Sequence, residues 1–268
     1  MSFKPIAPLM ISTDNEKHIS KIEKMETDSI ILNLEDGVSD KKKALENCKT
    51  ILKDFPRKQK FIVRVNALGE NGDSEISEIQ KFKPDAIRVP KIRNSDEVQK
   101  IENLIFEKID IHLSIETKEA LLNLATLRTS NRISVFYLGI LDLIADLELS
   151  QDKLEPTNPM VGYLLSQFLV TSKALGVHPV APVFQDYKNE KLFHEWLELE
   201  KRIGFSAKGV ISPTQAKIVT EFFRKEESEI EKAREIVQLF QKNGSFAHDK
   251  YGYIDEPIYK GALAILNK

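Results

Sequence analysis

The chain has a single cysteine, Cys48, and that scarcity excludes a fold stapled by intramolecular disulfides. A lone thiol suits a reducing compartment. Its setting, Lys43-Ala-Leu-Glu-Asn-Cys48, has the composition of a helix, so a buried packing group is expected rather than a reactive thiol. Long apolar runs are also missing: nothing approaches the roughly 18 residues that a membrane-spanning helix needs. Met1-Ser-Phe-Lys-Pro5 is followed by too short an apolar run for a secretory leader, so a cytoplasmic protein with no membrane partner is expected. Neither sign of charge is in excess. Lysine and arginine number 39 against 41 aspartate and glutamate, for a formal net charge of -2, which gives no electrostatic signature of nucleic-acid binding. The five histidines show no metal-ligand spacing: His112 falls inside a strand-like run, and His178, just before Pro179 in an apolar run, suits a structural role. No Pro/Gly/Ser-rich linker and no internal repeat interrupts the chain. What is present is an apolar fraction of 41% in 268 residues, enough to fill one core, so small-molecule substrates are expected.

Those apolar residues are organised as short branched runs that alternate with longer helical patterns. Eight runs read as strands: Pro8-Leu-Met-Ile-Ser12, Ser29-Ile-Ile-Leu-Asn-Leu-Glu-Asp36, Lys60-Phe-Ile-Val-Arg-Val-Asn66, Asp85-Ala-Ile-Arg-Val-Pro-Lys91, Ile109-Asp-Ile-His-Leu-Ser-Ile-Glu116, Ser134-Val-Phe-Tyr-Leu-Gly139, Val177-His-Pro-Val-Ala-Pro-Val-Phe184 and Ala207-Lys-Gly-Val-Ile-Ser212. Between them the spacing predicts helices over 13–25, 41–54, 75–82, 94–108, 117–128, 139–147, 160–175 and 190–203. Ser39 with Asp40 and Asn94 with Ser95 are placed as caps, and Gly176 and Gly204 as stops. Eight strand-helix units favour a closed (β/α)₈ TIM barrel over an open sheet. The barrel is expected over residues 1–213, with 214–268 a C-terminal extension of the same domain.

The second strand candidate sets the functional expectation. A branched apolar run there ends abruptly in Glu35 and Asp36, the pattern of a strand buried on both faces whose carboxyl end emerges with charge. The third run ends near Arg64, the fifth in Glu116, and the sixth leads through Gly139 to Asp142. In a parallel barrel these ends converge on the face where α/β enzymes place their chemistry. Glu116 and Asp142 can then offer two hard oxygen ligands to Mg²⁺, an ion that keeps several waters and takes remaining ligands from substrate. A 2-oxo or 2-hydroxy acid can chelate such an ion. Arg64 offers a planar fork for a carboxylate, or a salt bridge to Glu35 or Asp36, and the two are compatible. Lys41-Lys42-Lys43 could hold a phosphate, but a solvated helix face is the expectation.

Beyond residue 212 the pattern changes. Residues 213–241 read as one long charged helix, followed by Asn243-Gly-Ser-Phe-Ala-His-Asp-Lys-Tyr-Gly-Tyr-Ile-Asp255, and Pro257 opens a final short helix. A barrel does not need this tail. It is either a packing arm for a neighbouring subunit or a lid that carries a catalytic group.

Leu32-Asn-Leu-Glu-Asp-Gly-Val38, Arg64-Val-Asn66, Val89-Pro-Lys91, Ile115-Glu-Thr117, Gly139-x-x-Asp-Leu-x-x-Asp-Leu147, Ile211-Ser-Pro-Thr-Gln215 and Ile254-Asp-x-Pro257 together resemble the citrate lyase β-subunit family, which includes malyl-CoA and citramalyl-CoA lyases. The match runs in order through nearly the whole chain. The resemblance implies a Mg²⁺-dependent (β/α)₈ enzyme, commonly a trimer, that makes or breaks a carbon-carbon bond between an acyl thioester and a 2-oxo acid. It implies metal binding by Glu116 and Asp142 and substrate binding by Arg64 and Gly139. Glu35 and Asp36 would support the arginine, and Asp255, on a lid over a neighbouring subunit, would handle the proton on the thioester side. The thioester could be carried by CoA or by an acyl-carrier protein. This chain departs from the family pattern at Lys4-Pro5, Ser12-Thr13, Asn33, Glu148 and Ser212. Two other readings stay open: a metal-dependent aldolase on free oxo-acids, and a non-catalytic subunit that uses its long charged helix for docking.

Overall fold

In a computed structural model of the chain, residues 3–224 and 227–266 are described; residues 1–2, 225–226 and 267–268, at the ends and within the expected long helix, lie outside the described residues. Seven parallel strands form one sheet in sequence order: β1 (Leu9–Ser12), β2 (Ser29–Asn33), β3 (Lys60–Arg64), β4 (Ala86–Val89), β5 (Asp110–Ile115), β6 (Ile133–Leu138) and β7 (His178–Val180). Every residue of β2, β4 and β6 is buried, because helices cover one face of the curled sheet and inward side chains fill the other. Ile30 and Leu32 of β2 enter the large core under the helices, while Ile31 joins Ile62, Ala86, Val135, Tyr137, Val180 and Ala207 in an inner cluster. The alternation follows from the two-residue strand period.

Eight strands were expected and seven are present. The eighth stretch, residues 207–210, instead makes one isolated parallel bridge to each edge of the sheet, Leu9 with Val210 and Ala181 with Lys208. Met10 N donates to Val210 O at 2.8 Å, and Ala181 N donates to Ala207 O at 2.9 Å. Pro179, two residues before Ala181 and on the same edge of β7, has no backbone N–H, so the ladder cannot extend in that direction.

The caps foreseen in the sequence set where each crossover helix starts. Asp40 accepts from Lys43 N at 2.9 Å and opens Lys41–Asp54, and Asn94 accepts from Glu97 N at 3.0 Å and opens Ser95–Leu104. Gly176 (φ 71°) and Gly204 (φ 113°) follow the helices Pro159–Ala174 and Glu190–Ile203 in the left-handed region. Two helices are shorter than expected. The 13–25 segment holds only Glu16–Ile19 and a 3₁₀ turn, Ile22–Lys24. The long helix from residue 213 stops at Phe222, where Phe222 and Phe223 pack edge to face (5.5 Å, 81°) against the core, and a separate helix spans Glu227–Asn243.

The chain forms two compact units, one ending at Phe223 and the other beginning at Arg224. The second unit pairs Glu227–Asn243 with Glu256–Leu266 and contains an antiparallel hairpin, β8 (Phe246–His248) and β9 (Gly252–Ile254), absent from the sequence expectation. Ala233, Ile236, Val237, Ile254 and Ala262 form its own small core, with Phe240 stacked on Tyr259 at 4.5 Å. No helix among the described residues is long and apolar enough to cross a membrane.

Candidate active site

Parallel pairing in register brings the charged strand ends together. Asn33 on β2 pairs with Arg64 on β3, and Arg64 with Arg88 on β4, so the residues that follow these strands leave the sheet at one level. Asp36, Arg64, Glu116, Gly139 and Asp142 line a single cavity of about 400 Å³. Glu35 stands behind Arg64, forms an ion pair with it, and is only 2% exposed. Of the residues expected to act together, six meet here. Asp255 belongs to the second unit, where its Oδ1 accepts from Ile258 N at 3.1 Å and caps the last helix.

Burial raises the Glu35 carboxyl above the ordinary carboxylate range; Arg64 opposes that rise, and Glu116 and Asp36 add to it. Neither Glu35 oxygen accepts a well-aligned hydrogen bond, so the contact with Arg64 is one of charge. Lys91 Nζ lies 3.8 Å from Glu35 Oε1 and adds a second, weaker positive neighbour. Arg64 Nη2 is also 3.9 Å from Glu116 Oε2. The arginine is thus held between two carboxylates while one edge of it faces the cavity.

Glu116 follows β5 directly, and its Oε1 accepts from Lys91 N at 2.8 Å. Gly139 follows β6 beside it. A Cβ at residue 139 would lie 2.5 Å from Glu116 Oε2 and 2.6 Å from Glu116 Cβ, so only glycine lets this carboxylate occupy its place. Asp142 then enters in the first turn of Ile140–Asp146. Among the described residues no cluster of three or more His, Cys, Asp or Glu could hold a metal. Of the three carboxylates that line the cavity, Glu116 and Asp142 are instead an oxygen-only pair that fits a hard ion completing its shell with water and substrate.

The loop from Asn33 to Asp36 is tied from several sides. Asn33 Nδ2 donates to Asp36 O at 2.6 Å, and Thr13 Oγ1 donates to Asn33 O at 2.7 Å. Lys41, expected on a solvated face, is instead turned inward: its Nζ donates to Leu34 O at 2.9 Å, to Glu35 O at 2.5 Å and to Asn66 Oδ1 at 3.1 Å. Asn66 Nδ2 in turn donates to Leu34 O at 2.9 Å and to Glu75 Oε1 at 2.5 Å. The phosphate alternative for Lys41 has no support in this arrangement, since the backbone carbonyls Leu34 O and Glu35 O and the Asn66 side chain take its donors.

Sequence reasoning missed Arg88, Tyr137 and Met10, which line the same cavity. A lone arginine in Ala-Ile-Arg-Val carries no signal, because β4 is buried throughout and gives no alternation. His112, placed within a strand, is fully buried and 3.3 Å from the Tyr137 hydroxyl; burial first, then the Arg88 charge, hold its pKa down to about 3, so it is neutral. His178 Nε2 is 2.8 Å from Pro5 O, again a structural contact. Cys48 is fully buried, and burial pushes its thiol up, which leaves it inert.

Several known proteins share this chain's sequence and fold. It is 27% identical over 238 residues to a (3S)-malyl-CoA thioesterase of Cereibacter sphaeroides, covering 87% of this chain and 82% of the relative. It is 26% identical over 293 residues to the mitochondrial citramalyl-CoA lyase of Rattus norvegicus, covering 97% and 84%. In fold it is similar to CitE from Mycobacterium tuberculosis, solved in complex with magnesium, acetoacetate and coenzyme A, with a TM-score of 0.80 at 21% identity over 98% of this chain and 97% of that one. The HpcH/HpaI aldolase/citrate lyase model matches residues 8–213, the stretch that carries the strand ends and the cavity. With that model matched over well more than half its length, the chain belongs to the HpcH/HpaI aldolase/citrate lyase family.

Proposed function

We propose that the chain is a Mg²⁺-dependent carbon-carbon lyase, or the corresponding condensing enzyme, which interconverts a 3-hydroxyacyl thioester with an acyl thioester and a 2-oxo acid. The observation that carries this reading is the meeting of Arg64, Glu116 and Asp142 on one cavity with Glu35 behind the arginine. The relatives named as acting on malyl-CoA and citramalyl-CoA, and the magnesium and coenzyme A held by the M. tuberculosis protein, support it.

Glu116 and Asp142 hold the ion in this assignment. When bound, Mg²⁺ polarises the oxygen on the carbon that becomes the ketone and lowers the cost of losing its proton. Arg64 grips the carboxylate of the oxo-acid half with its fork, and buried Glu35 keeps the guanidinium from swinging away. Asp36, exposed and on the same cavity, receives the hydroxyl proton. The carbon-carbon bond then breaks, and its electron pair stays on the thioester fragment as an enolate. Asp255 gives that carbon its proton in cleavage, or removes it in condensation, a contribution of ~10²–10⁴-fold for a positioned acid-base group.

The finer architecture belongs to the same proposal. Residues 207–210 stand as the eighth strand of a (β/α)₈ barrel, a reading supported by their bridges to both sheet edges. The unit after Phe223 serves as a lid that brings Asp255 to the cavity of a neighbouring copy in a homotrimer. The same reading sets the chain in the cytoplasm, which its one free cysteine supports. The test is product analysis: the chain with Mg²⁺ and malyl-CoA or citramalyl-CoA should release an acyl-CoA and an oxo-acid in equal amounts. Free CoA without oxo-acid would make it a thioester hydrolase, the activity named for the C. sphaeroides relative.

A further inference from the structure

Arg88 is a buried cation that faces the cavity without an anion of its own. It is 7% exposed and stands on β4 in register with Arg64 on β3 and His112 on β5. Its Nε donates to Ser114 Oγ at 2.8 Å, and its guanidinium carbon lies 4.1 Å over the Tyr137 ring. These two contacts fix the plane of the guanidinium but do not neutralise it. Arg64 has Glu35 and Glu116 as carboxylate neighbours, whereas no carboxylate of the described residues lies within 4.0 Å of Arg88. Burial first, then the neighbouring Arg64 charge, hold its pKa down to about 10, which still leaves it charged at neutral pH.

The charges around the cavity otherwise pair off. Glu35 answers Arg64, and Glu116 with Asp142 would answer a divalent ion; Glu116 and Glu35 act on Arg88 only from beyond ion-pair distance. Exposed Asp36 is beyond ion-pair distance of Arg88. A guanidinium offers five donors in a rigid fork; Arg88 spends one on Ser114, and no acceptor among the described residues takes the other four. A buried cation with four donors unused by the chain, on a substrate cavity, is placed to hold an anionic group there. Arg88 and Arg64 are register partners on neighbouring strands, about 4.8 Å apart in the backbone, and both line the cavity, so a short diacid held there can present one carboxylate to each.

We propose that Arg88 holds a second carboxylate on the oxo-acid half of the substrate, so that this site selects 2-oxo dicarboxylates over 2-oxo monocarboxylates. The proposal rests on the lyase reading of the cavity. Arg64 takes the carboxylate next to the oxo group, which both kinds of acid share, and Arg88 takes the distal one. Ser114 and Tyr137 act as positioning residues that hold the fork for that group.

Calorimetric titration of the full chain with Mg²⁺ present, using oxaloacetate and the monocarboxylate 2-oxobutanoate as probes, tests this. The wild type should bind oxaloacetate about 10- to 100-fold more tightly, the range of a charge-assisted hydrogen-bonded pair. Arg88→Met should remove most of that preference and leave 2-oxobutanoate binding within a few-fold. Arg88→Lys should keep part of it, having charge without a fork. Equal binding of the two acids by the wild type overturns the proposal, and so does an Arg88→Met variant that weakens both acids alike, because Arg88 then serves the shared carboxylate. Should Arg88→Met not fold, the wild-type preference and Arg88→Lys decide the matter. Binding of neither acid in the presence of Mg²⁺ removes the lyase reading together with this one; equal binding of both leaves the lyase reading standing.

Discussion

Gly139 cannot carry a side chain without moving Glu116, since a Cβ there would lie 2.5 Å from the carboxylate oxygen. Gly139→Ala should therefore displace the metal carboxylate and weaken Mg²⁺ binding at least tenfold by calorimetry while the fold, read by circular dichroism, persists; retained affinity would count against the role given to Glu116. At Asp255 the opposite split is expected. Asp255→Asn should depress turnover ~10²–10⁴-fold with Mg²⁺ affinity unchanged, and equal loss of both would count against its acid-base assignment. A third residue titrates far from any chemistry. Burial raises the Glu200 carboxyl to about 7, against the opposing pull of Lys208, whose Nζ donates to it at 2.5 Å. Its folded pKa lies above its unfolded one, so the folded chain binds the extra proton. Stability from this group is complete at pH below the unfolded carboxylate value and is lost as pH rises to about 7. Denaturant titrations across that window should show a downward slope that Glu200→Gln flattens. An unchanged slope in the variant would mean that Glu200 is ionised throughout.

The loop after β2 shows which elements the sequence announces and which it conceals. Asp40, Asn94, Gly176 and Gly204 were legible as punctuation, because caps and left-handed stops act within a turn or two of their own residue. The inward turn of Lys41 was not legible, since it depends on Leu34, Glu35 and Asn66 arriving from two other segments. Lys41→Met should leave those carbonyls without their donor, lower stability by about 1–3 kcal/mol in denaturant unfolding, and raise the KM for the oxo-acid by loosening Glu35 behind Arg64. A variant as stable as the wild type would show the loop to be held by Thr13, Asn33 and Asn66 without the lysine. The stop after Phe222 was hidden for the same reason: no glycine or proline marks it, and the packing of Phe222 and Phe223 on distant core residues ends the helix. The hairpin from Phe246 to Ile254 was hidden by its three-residue strands, too short to show a period of two.

At the scale of the molecule, the parallel order of the first seven strands was legible from buried branched runs, while the eighth run, expected as a strand, makes only isolated bridges; the convergence of Glu35, Asp36, Arg64, Glu116 and Asp142 followed from parallel pairing. Arg88 was lost because a buried strand shows no alternation, so nothing in the sequence says which face an interior residue takes. If Asp255 serves the cavity of a neighbouring copy, two inactive variants should complement each other. Mixed oligomers of Glu116→Gln and Asp255→Asn should recover a measurable part of wild-type turnover, and recovery of none would assign Asp255 to the cavity of its own chain or to no cavity. The central claim is simpler and more directly tested: Glu116 and Asp142 share one divalent ion. Calorimetric titration with Mg²⁺ should give one site per chain in the wild type and at least a tenfold loss of affinity in Glu116→Gln and in Asp142→Asn; undiminished binding in both variants would contradict the account.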